Sequence, residues 1–306
     1  MQMKSRKEMS LSILIPTYNY AAYSLAETLS RQTGRLSIPC EIIVADDAST
    51  DQECRRRNGL ISTLPQCTCL ALERNVGRAR IRNLLAKEAS HRWLLFLDSD
   101  GMPTSDDFLT RYEAAIAEAE KGGQAVICGG IVHPASCPSP QVSLRWKYEH
   151  TAEPHHTVNE RKHRPWGAFR TFNFAVRSDV FNRIQFDETF RHYGYEDVLF
   201  GLHLQEAGIE ILHIDNALMN EDIEPNDVFL RKTEEALRTL KLHADKLGSS
   251  VRLHHQSQKL HRIPGVVLLL KYTFRLLQPC MKKNLTSQRP LLPLFNLYKL
   301  GYYLNL

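Results

Sequence analysis

No apolar run in this chain approaches the roughly 20 residues that a helix needs to cross a bilayer; the aliphatic run Val266–Leu270 stops at Lys271. The N-terminal stretch, Met1 to Met9, is basic, but the apolar run behind it, Leu11–Ile15, is too short for the core of a signal peptide, so we expect an intracellular protein. The seven cysteines (40, 54, 67, 69, 128, 137, 280) form no CxxC pair and no regular framework. That excludes the usual zinc spacings and points to reduced thiols in the cytosol. There is no internal repeat, and 43% hydrophobic with 24% charged residues excludes disordered or collagen-like classes. Acidic residues are missing altogether from 246–306, which carries ten Lys or Arg. The remainder holds 29 basic against 34 acidic residues, a balance of −5. A mildly acidic body with a basic tail implies an anionic partner for the tail, and phospholipid and nucleic acid fit equally on charge alone.

What is present is alternation. Short β-branched and aliphatic runs at Leu11–Ile15, Glu41–Ala45, Thr68–Leu72, Trp93–Leu97 and Ala125–Cys128 read as strands. Amphipathic segments near 22–32, 78–90 and 105–121 lie between them. Alternation of this kind predicts an α/β fold, a mainly parallel sheet with helices on both faces. Further on we expect strands near Thr171–Val176 and Glu210–Ile214 and helices near Glu196–Ala207 and Asn226–Leu247. Residues 134–165, rich in Pro, His and Ser, read as a long loop suited to a lid.

In a parallel sheet ligands gather beyond the carboxyl ends of the strands, and the polar clusters of this chain fall there. The first strand runs into Pro16-Thr17-Tyr18-Asn19, the second into Asp46-Asp47-Ala48-Ser49, the fourth into Asp98-Ser99-Asp100-Gly101. Two carboxylates one residue apart, delivered by a buried strand, suit a hard cation together with a sugar-nucleotide diphosphate. Isolated, an Asp-x-Asp turn is usually a solvated loop. Asp46 and Asp47 suit a nucleobase N–H, with Thr17 and Asn19 around base and ribose; the competing role is a helix N-cap. Asn75-Val76-Gly77-Arg78 offers backbone and guanidinium to phosphate, although Arg78, Arg80 and Arg82 equally suit a solvated helix face. Glu196-Asp197 opens a helix, where acidic residues also serve the dipole. A carboxylate held at a helix start is a suitable general base for a sugar hydroxyl, and Asp197 is the candidate, with Glu196 holding the acceptor.

Together these stretches resemble the family-two glycosyltransferases of the GT-A fold. The matching residues are Ser12–Asn19, Ile43–Asp51, Asn75–Arg80, Phe96–Asp100, Phe172–Val176 and Gly194–Asp197, in family order over about residues 10 to 245. The resemblance implies a Rossmann-like nucleotide-diphospho-sugar transferase sheet and an inverting single displacement. It implies nucleotide contacts at Thr17, Asn19, Asp46 or Asp47, and Asp98, a divalent cation (Mn or Mg) at Asp100, and a base at Asp197. From the residues themselves we add Pro16, Arg78 and Ser99 as nucleotide-sugar contacts, keep both Asp46 and Asp47, and add Asp98 as a second cation ligand. We expect acceptor contacts from Trp166, Asn173 and Glu196. One departure stands out: where such enzymes often carry a metal- or diphosphate-contacting His, this chain has Asn220. Glu221 or Asp222 then becomes the substitute oxygen ligand, or the metal is held more weakly. His213, on the predicted strand, reads as a packed core residue.

The expected organisation is a GT-A domain over 1–248, with a nucleotide-sugar half (1–133) and an acceptor half (134–248), and a helical, basic, apolar tail over 249–306. Within the tail, Ile263–Leu277 and Leu291–Leu306 suit helices lying on an anionic membrane surface, packing on the enzyme or forming a dimer contact. The function expected is transfer of a sugar, UDP-linked by preference, to a glycan or lipid-linked acceptor in cell-surface polysaccharide synthesis, at the inner face of the membrane and without nucleic acid. Two other readings stand beside it. One is a non-catalytic relative; the other is a nucleotidyltransferase, disfavoured because Pro16-Thr17-Tyr18-Asn19 is no Gly-rich phosphate loop.

Overall fold

The computed structural model describes residues 9–306. The basic residues 1–8 lie outside the described residues. The chain divides into two compact units, one of residues up to 132, 155–191 and 200–222, the other of 133–154, 192–199 and 223–306.

The first unit is built on a seven-stranded sheet. Its strands are β1 (Leu11–Thr17), β2 (Cys40–Asp46), β3 (Cys67–Ala71), β4 (Trp93–Leu97), β6 (Val126–Cys128), β8 (Asn173–Arg177) and β9 (Ile211–His213), in the order β3-β2-β1-β4-β8-β6-β9. Strands β3, β2, β1 and β4 run parallel; β8 is antiparallel to both neighbours. A small second sheet pairs β5 (Gly101–Pro103) with β10 (Leu218–Asn220), and β10 with β7 (Ile131–Val132).

The apolar runs are continuous because both sheet faces are covered, and the period of two sorts them. Leu11, Ile13, Ile15, Ile42, Val44, Trp93, Leu95 and Leu97 face one cluster. Leu14, Ile43, Ala45, Leu94 and Phe96 face the other. Helices α1 (Tyr23–Thr33) and α4 (Phe108–Gly122) cover the first face through residues such as Leu25, Leu29, Tyr112 and Ile116. The helix α3 (Arg78–Glu88) and the rings of Phe169, Phe181, Phe186 and Phe200 cover the second. Each large side chain removed from water here contributes about 1.5–3 kcal/mol before entropy.

Winding reverses between β1 and β4, since β2 and β3 follow on one side of β1 and later strands on the other. At such a switch point the loops leaving the two central strands diverge and open a crevice. Thr17 and Asp98 stand at its two sides.

The second unit is helical: α5 (Ser143–Ala152), α9 (Asn226–Leu242), α10 (Ala244–Leu247), α11 (Arg252–His261), α12 (Val266–Leu285) and α13 (Leu292–Asn305). Its core joins Leu144, Leu230, Phe274, Met281, Leu285, Phe295 and Tyr298. Gly301 admits the Phe274 ring where any side chain would collide with it. Helix α8 (Glu196–Glu206) gives its first turn to this unit and the remainder to the other.

The expectation of a long loop over 134–165 is corrected. It contains α5 and also α6 (Val158–His163), which Thr157 caps by accepting from Glu160 N at 3.3 Å. Helices of ten and six residues are too short for a 3.6-residue pattern to stand out. Buried anchors fix them instead, Leu144 in one unit and Arg161 in the other.

Candidate active site

Strand β4 is buried along its whole length, and its end is pinned by Asp98 N donating to Phe172 O at 3.0 Å. The chain then turns, with Gly101 N bonded to Asp98 O at 3.1 Å. Glycine is required at 101 because a Cβ would lie 2.7 Å from Leu218 Cγ. That close approach lets β5 pair with β10, so that Asn220 stands opposite Gly101. Residues 221 and 222 consequently leave β10 beside Ser99 and Asp100.

The electrostatics record the result. The half-buried Tyr20 has its phenol pKa pushed up by burial first, then by the carboxylates of Asp222, Asp100 and Glu221, with Arg57 opposing. Three carboxylates, two of them on a segment remote in sequence from the Asp-x-Asp turn, thus act on one hydroxyl. Tyr20 itself was not legible as a site residue; its one sequence signal is its place just past Asn19.

Asp98 is engaged differently. Its Oδ1 meets Nη2 of Arg82 at 2.6 Å, with the side chains only 15% and 2% exposed. The same guanidinium donates to Arg78 O at 3.3 Å and lies 5.6 Å from the Phe186 ring centroid. Arg82 is therefore not part of a solvated face; its guanidinium pairs with the Asp98 carboxylate at the mouth of the crevice. Arg80, by contrast, is exposed and 3.8 Å from Glu188. Arg78 begins α3 directly after Gly77, whose φ of 86° only glycine adopts cheaply.

Asp46 and Asp47, both buried, organise the loops at the ends of β2 and β3. Asp46 accepts from Ser49 N at 2.8 Å and Asn58 Nδ2 at 3.0 Å. Asp47 accepts from Val76 N at 2.7 Å and Gly77 N at 3.0 Å. Burial raises the Asp47 pKa, the two amides oppose it, and Asp46 adds to it. The helix capping role falls instead to Asp51, which accepts from Cys54 N at 2.8 Å. Asn19, at a φ of 50°, clamps two loops: its Oδ1 accepts from Thr50 N at 2.7 Å and Asp51 N at 3.0 Å. Thr17 donates to Tyr20 O at 2.9 Å, and Pro16 lies within β1.

The two first-unit residues expected to contact acceptor are engaged inside that unit. Asn173 is buried, its Oδ1 accepting from Tyr112 OH at 2.6 Å and its Nδ2 donating to Gly130 O and Asn216 O. Trp166 donates its indole N–H to Ile209 O at 2.8 Å. His213 is packed as expected, 2% exposed. Its Nδ1 lies 3.2 Å from Arg161 Nη1 and its Nε2 3.0 Å from Pro165 O.

Glu196 and Asp197 belong to the second unit. The chain reaches them through Gly194 at φ 103° and Tyr195 at φ 69°, two successive left-handed residues. The turn is docked on α9: Tyr193 N donates to Glu235 Oε1 at 3.1 Å, and Thr239 Oγ1 donates to Tyr193 O at 3.0 Å. Glu196 is buried, Asp197 half-buried. The Tyr195 phenol is pushed well above its ordinary value, by burial first and also by Tyr148 and the nearby Asp197 carboxylate. Backbone strain of this kind persists where surrounding structure over-determines it, as at functional sites.

Among the described residues no group of three or more His, Cys, Asp or Glu forms a ready metal cage. The donors near the Asp-x-Asp turn are carboxylate oxygens, which suit a hard cation completed by phosphate oxygens.

A mainly parallel sheet with one antiparallel strand, and carboxylates collected at its switch point, is the architecture of the GT-A fold. The family model for glycosyl transferase family 2 matches residues 12–184, and the chain belongs to that family; it is a glycosyltransferase. It is 25% identical to chondroitin synthase of Pasteurella multocida (strain Pm70), over 86% of this chain and 30% of that protein. It is 29% identical to validoxylamine A glucosyltransferase of Streptomyces hygroscopicus subsp. jinggangensis, over 65% of this chain and 52% of that one. The chain thus spans between 30% and 52% of the length of these curated relatives. Its fold is similar to S. aureus TarS 1-349 (TM-score 0.53, 19% identity, 97% of this chain and 90% of that one). It is also similar to the mannosyltransferase PcManGT of Pyrobaculum calidifontis in complex with GDP-Man and Mn2+ (TM-score 0.53, 16% identity, 96% and 84%).

Proposed function

We propose that this chain transfers a sugar from a nucleoside diphosphate sugar to a glycan or lipid-linked acceptor by a single inverting displacement. The observation that carries the reading is the β5–β10 register, which sets Glu221 and Asp222 beside Asp100 around Tyr20. Solved structures similar in fold contain UDP-GlcNAc in TarS and GDP-Man with Mn2+ in PcManGT, which supports a nucleotide-sugar donor and a divalent cation here. We take UDP-sugars as the preferred donors.

A bound Mn or Mg supplies neutralisation of the charge that grows on the leaving diphosphate. Asp100, with Asp222 or Glu221, would hold it, taking the place of the imidazole that Asn220 lacks. Asp98, positioned by Arg82, suits the ribose hydroxyls, as does the neighbouring Ser99. Arg78 at the start of α3 suits the diphosphate, and Asp46 and Asp47 orient the loops around the base together with Thr17 and Asn19. Asp197 removes the proton of the attacking acceptor hydroxyl, and Glu196 steadies the acceptor.

The test uses the purified chain with Mn2+ or Mg2+ and a panel of nucleotide sugars, read as binding and as donor hydrolysis. Asp197→Asn is expected to retain donor binding while transfer falls by about 10²–10⁴-fold, the range for loss of a general base. A variant transferring at the wild-type rate removes Asp197 from the mechanism, and no donor binding at all removes the reading.

The tail reading rests on α12. Its inward side carries the buried Phe274, Met281 and Leu285. Its outer side exposes Leu268 (74%), Leu269 (65%), Tyr272 (65%) and Leu276 (62%), a stripe at helical spacing beside Lys271 and Arg275. Among the described residues no helix is long and apolar enough to cross a membrane. We read this stripe as seating the enzyme on an anionic bilayer, in the place expected for polysaccharide synthesis at the inner face of the membrane. Co-sedimentation with phosphatidylglycerol vesicles, but not with phosphatidylcholine vesicles, is the expected result, and Leu268→Asp/Leu276→Asp should abolish it.

A further inference from the structure

The second unit carries an open cavity of about 1030 Å³, lined in part by Tyr148, Tyr193, Tyr195, Phe229 and Phe295. That volume is at the upper end of ligand-binding sites. Tyr195 also ties the cavity to Asp197, two residues further on, whose charge reaches its phenol. The wall is cationic: Lys299, Lys232 and Arg252 line it, against Glu149 alone. Lys232 is already matched by Glu224 at 2.6 Å. Glu149 is turned to Arg145, 3.9 Å away.

Lys299 is different. Its Nζ lies 4.5 Å from the Tyr148 ring centroid and 4.7 Å from that of Phe295. Among the described residues its ammonium makes no ion pair, nor does the exposed Arg252. Burial lowers the Lys299 pKa to about 8, with Glu149 opposing. An ammonium lodged between aromatic faces with no carboxylate in contact leaves an unmet demand for negative charge, and the exposed Tyr148 ring beside it offers an apolar surface suited to the C–H face of a pyranose.

We propose that this cavity holds the acceptor, and that the acceptor is an anionic sugar whose carboxylate or phosphate sits on Lys299 and Arg252 while its ring packs on Tyr148. The assignment of the cavity to the acceptor rests on the proposed glycosyl transfer with Asp197 as base.

The experiment titrates the full chain by ligand-observed NMR with three probes: methyl β-D-glucuronide, D-glucose 1-phosphate and the neutral methyl β-D-glucoside. At least one anionic probe is expected to bind tenfold or more tighter than the glucoside, and which one does so separates carboxylate from phosphate. Lys299→Met should reduce the preference to within twofold, and Lys299→Arg should keep it. Because Lys299→Met also removes two ring contacts, Arg252→Gln, which touches neither ring, serves as the second variant and should weaken anionic binding about threefold. Equal binding of neutral and anionic probes, binding of none, or an undiminished preference in both charge-removing variants overturns the proposal. Nucleotide-sugar binding measured in parallel separates the two readings: if no donor binds while the anionic preference persists, glycosyl transfer fails and the anion site stands.

Discussion

Asn220 on β10 lies directly opposite Gly101 on β5, and this one register brings a segment more than a hundred residues away alongside the Asp-x-Asp turn. The carboxylates of Asp222 and Glu221 act on Tyr20 together with Asp100. If these oxygens share the cation, Asp222→Ala should raise the Mn2+ concentration for half-maximal activity by about tenfold or more, as expected for a lost ligand or its close support. Asp100→Ala should lower donor turnover by at least about a hundredfold at any Mn2+ concentration, since several kcal/mol of charge stabilisation are removed. A metal titration of donor hydrolysis for both variants checks this. Asn220→His should shift the titration toward lower metal.

Arg82 and Asp98 form a nearly buried pair, 2.6 Å apart. Removing one partner of such a pair typically costs about 3–5 kcal/mol, because the other charge is left unmatched. Arg82→Met should therefore lower the melting temperature by several degrees and reduce donor affinity along with it. Asp98→Asn in the Arg82→Met background should recover part of the stability and none of the affinity. Differential scanning calorimetry with a nucleotide-binding titration separates the two effects. An Arg82→Met protein as stable as wild type would show that the pair contributes nothing.

The parallel half of the sheet was legible because buried parallel strands leave continuous aliphatic runs, and Trp93–Leu97 carries no polar residue. The Asp residues at strand ends were legible for the same reason. The small sheet was not: β5, β7 and β10 are two or three residues each, set by a glycine that tolerates Leu218 rather than by any periodicity. Arg82 was misjudged as one of three equivalent arginines. A signal was available, since Ala79 and Leu85, three residues either side, both turn inward, and the residue between them on that face must be buried. The left-handed pair Gly194–Tyr195 left no trace beyond the glycine, because φ at Tyr195 is imposed by the docking of this turn on α9.

Gly194 should tolerate no other residue. A Cβ there would lie 2.7 Å from the Cβ of Ala236, and the φ of 103° is strained for any L side chain. Gly194→Ala is expected to destabilise by about 1–3 kcal/mol, the cost of one such backbone position, and to displace the Asp197 carboxylate. Ala236→Gly in the same protein relieves the collision but not the φ, so stability should return only in part. Urea unfolding and single-turnover transfer by the two variants check the argument. Full recovery in the double variant would mean that the contact, not the backbone angle, holds this turn.

His213 makes the first unit sensitive to acid. Pro165 O only accepts, so Nε2 carries the proton, and Nδ1 must accept from Arg161, which requires a neutral ring. Burial lowers the pKa to about 4, opposed by the Pro165 contact and reinforced by Arg161; His156, also lowered to about 4 by burial, acts in the same direction. With the folded value below the unfolded one near 6.5, the unfolded chain binds more protons in between. Stability is therefore intact above about pH 6.5 and falls as the pH drops toward 4. At about 1.4 kcal/mol per unit, the His213 contribution amounts to roughly 3 kcal/mol by the lower end. Urea unfolding at pH 7.0 and 4.5 should show this loss in the wild type and a smaller one in His213→Gln, which cannot titrate. Equal losses in the two proteins would mean that His213 accepts a proton without cost and that the acid sensitivity arises elsewhere.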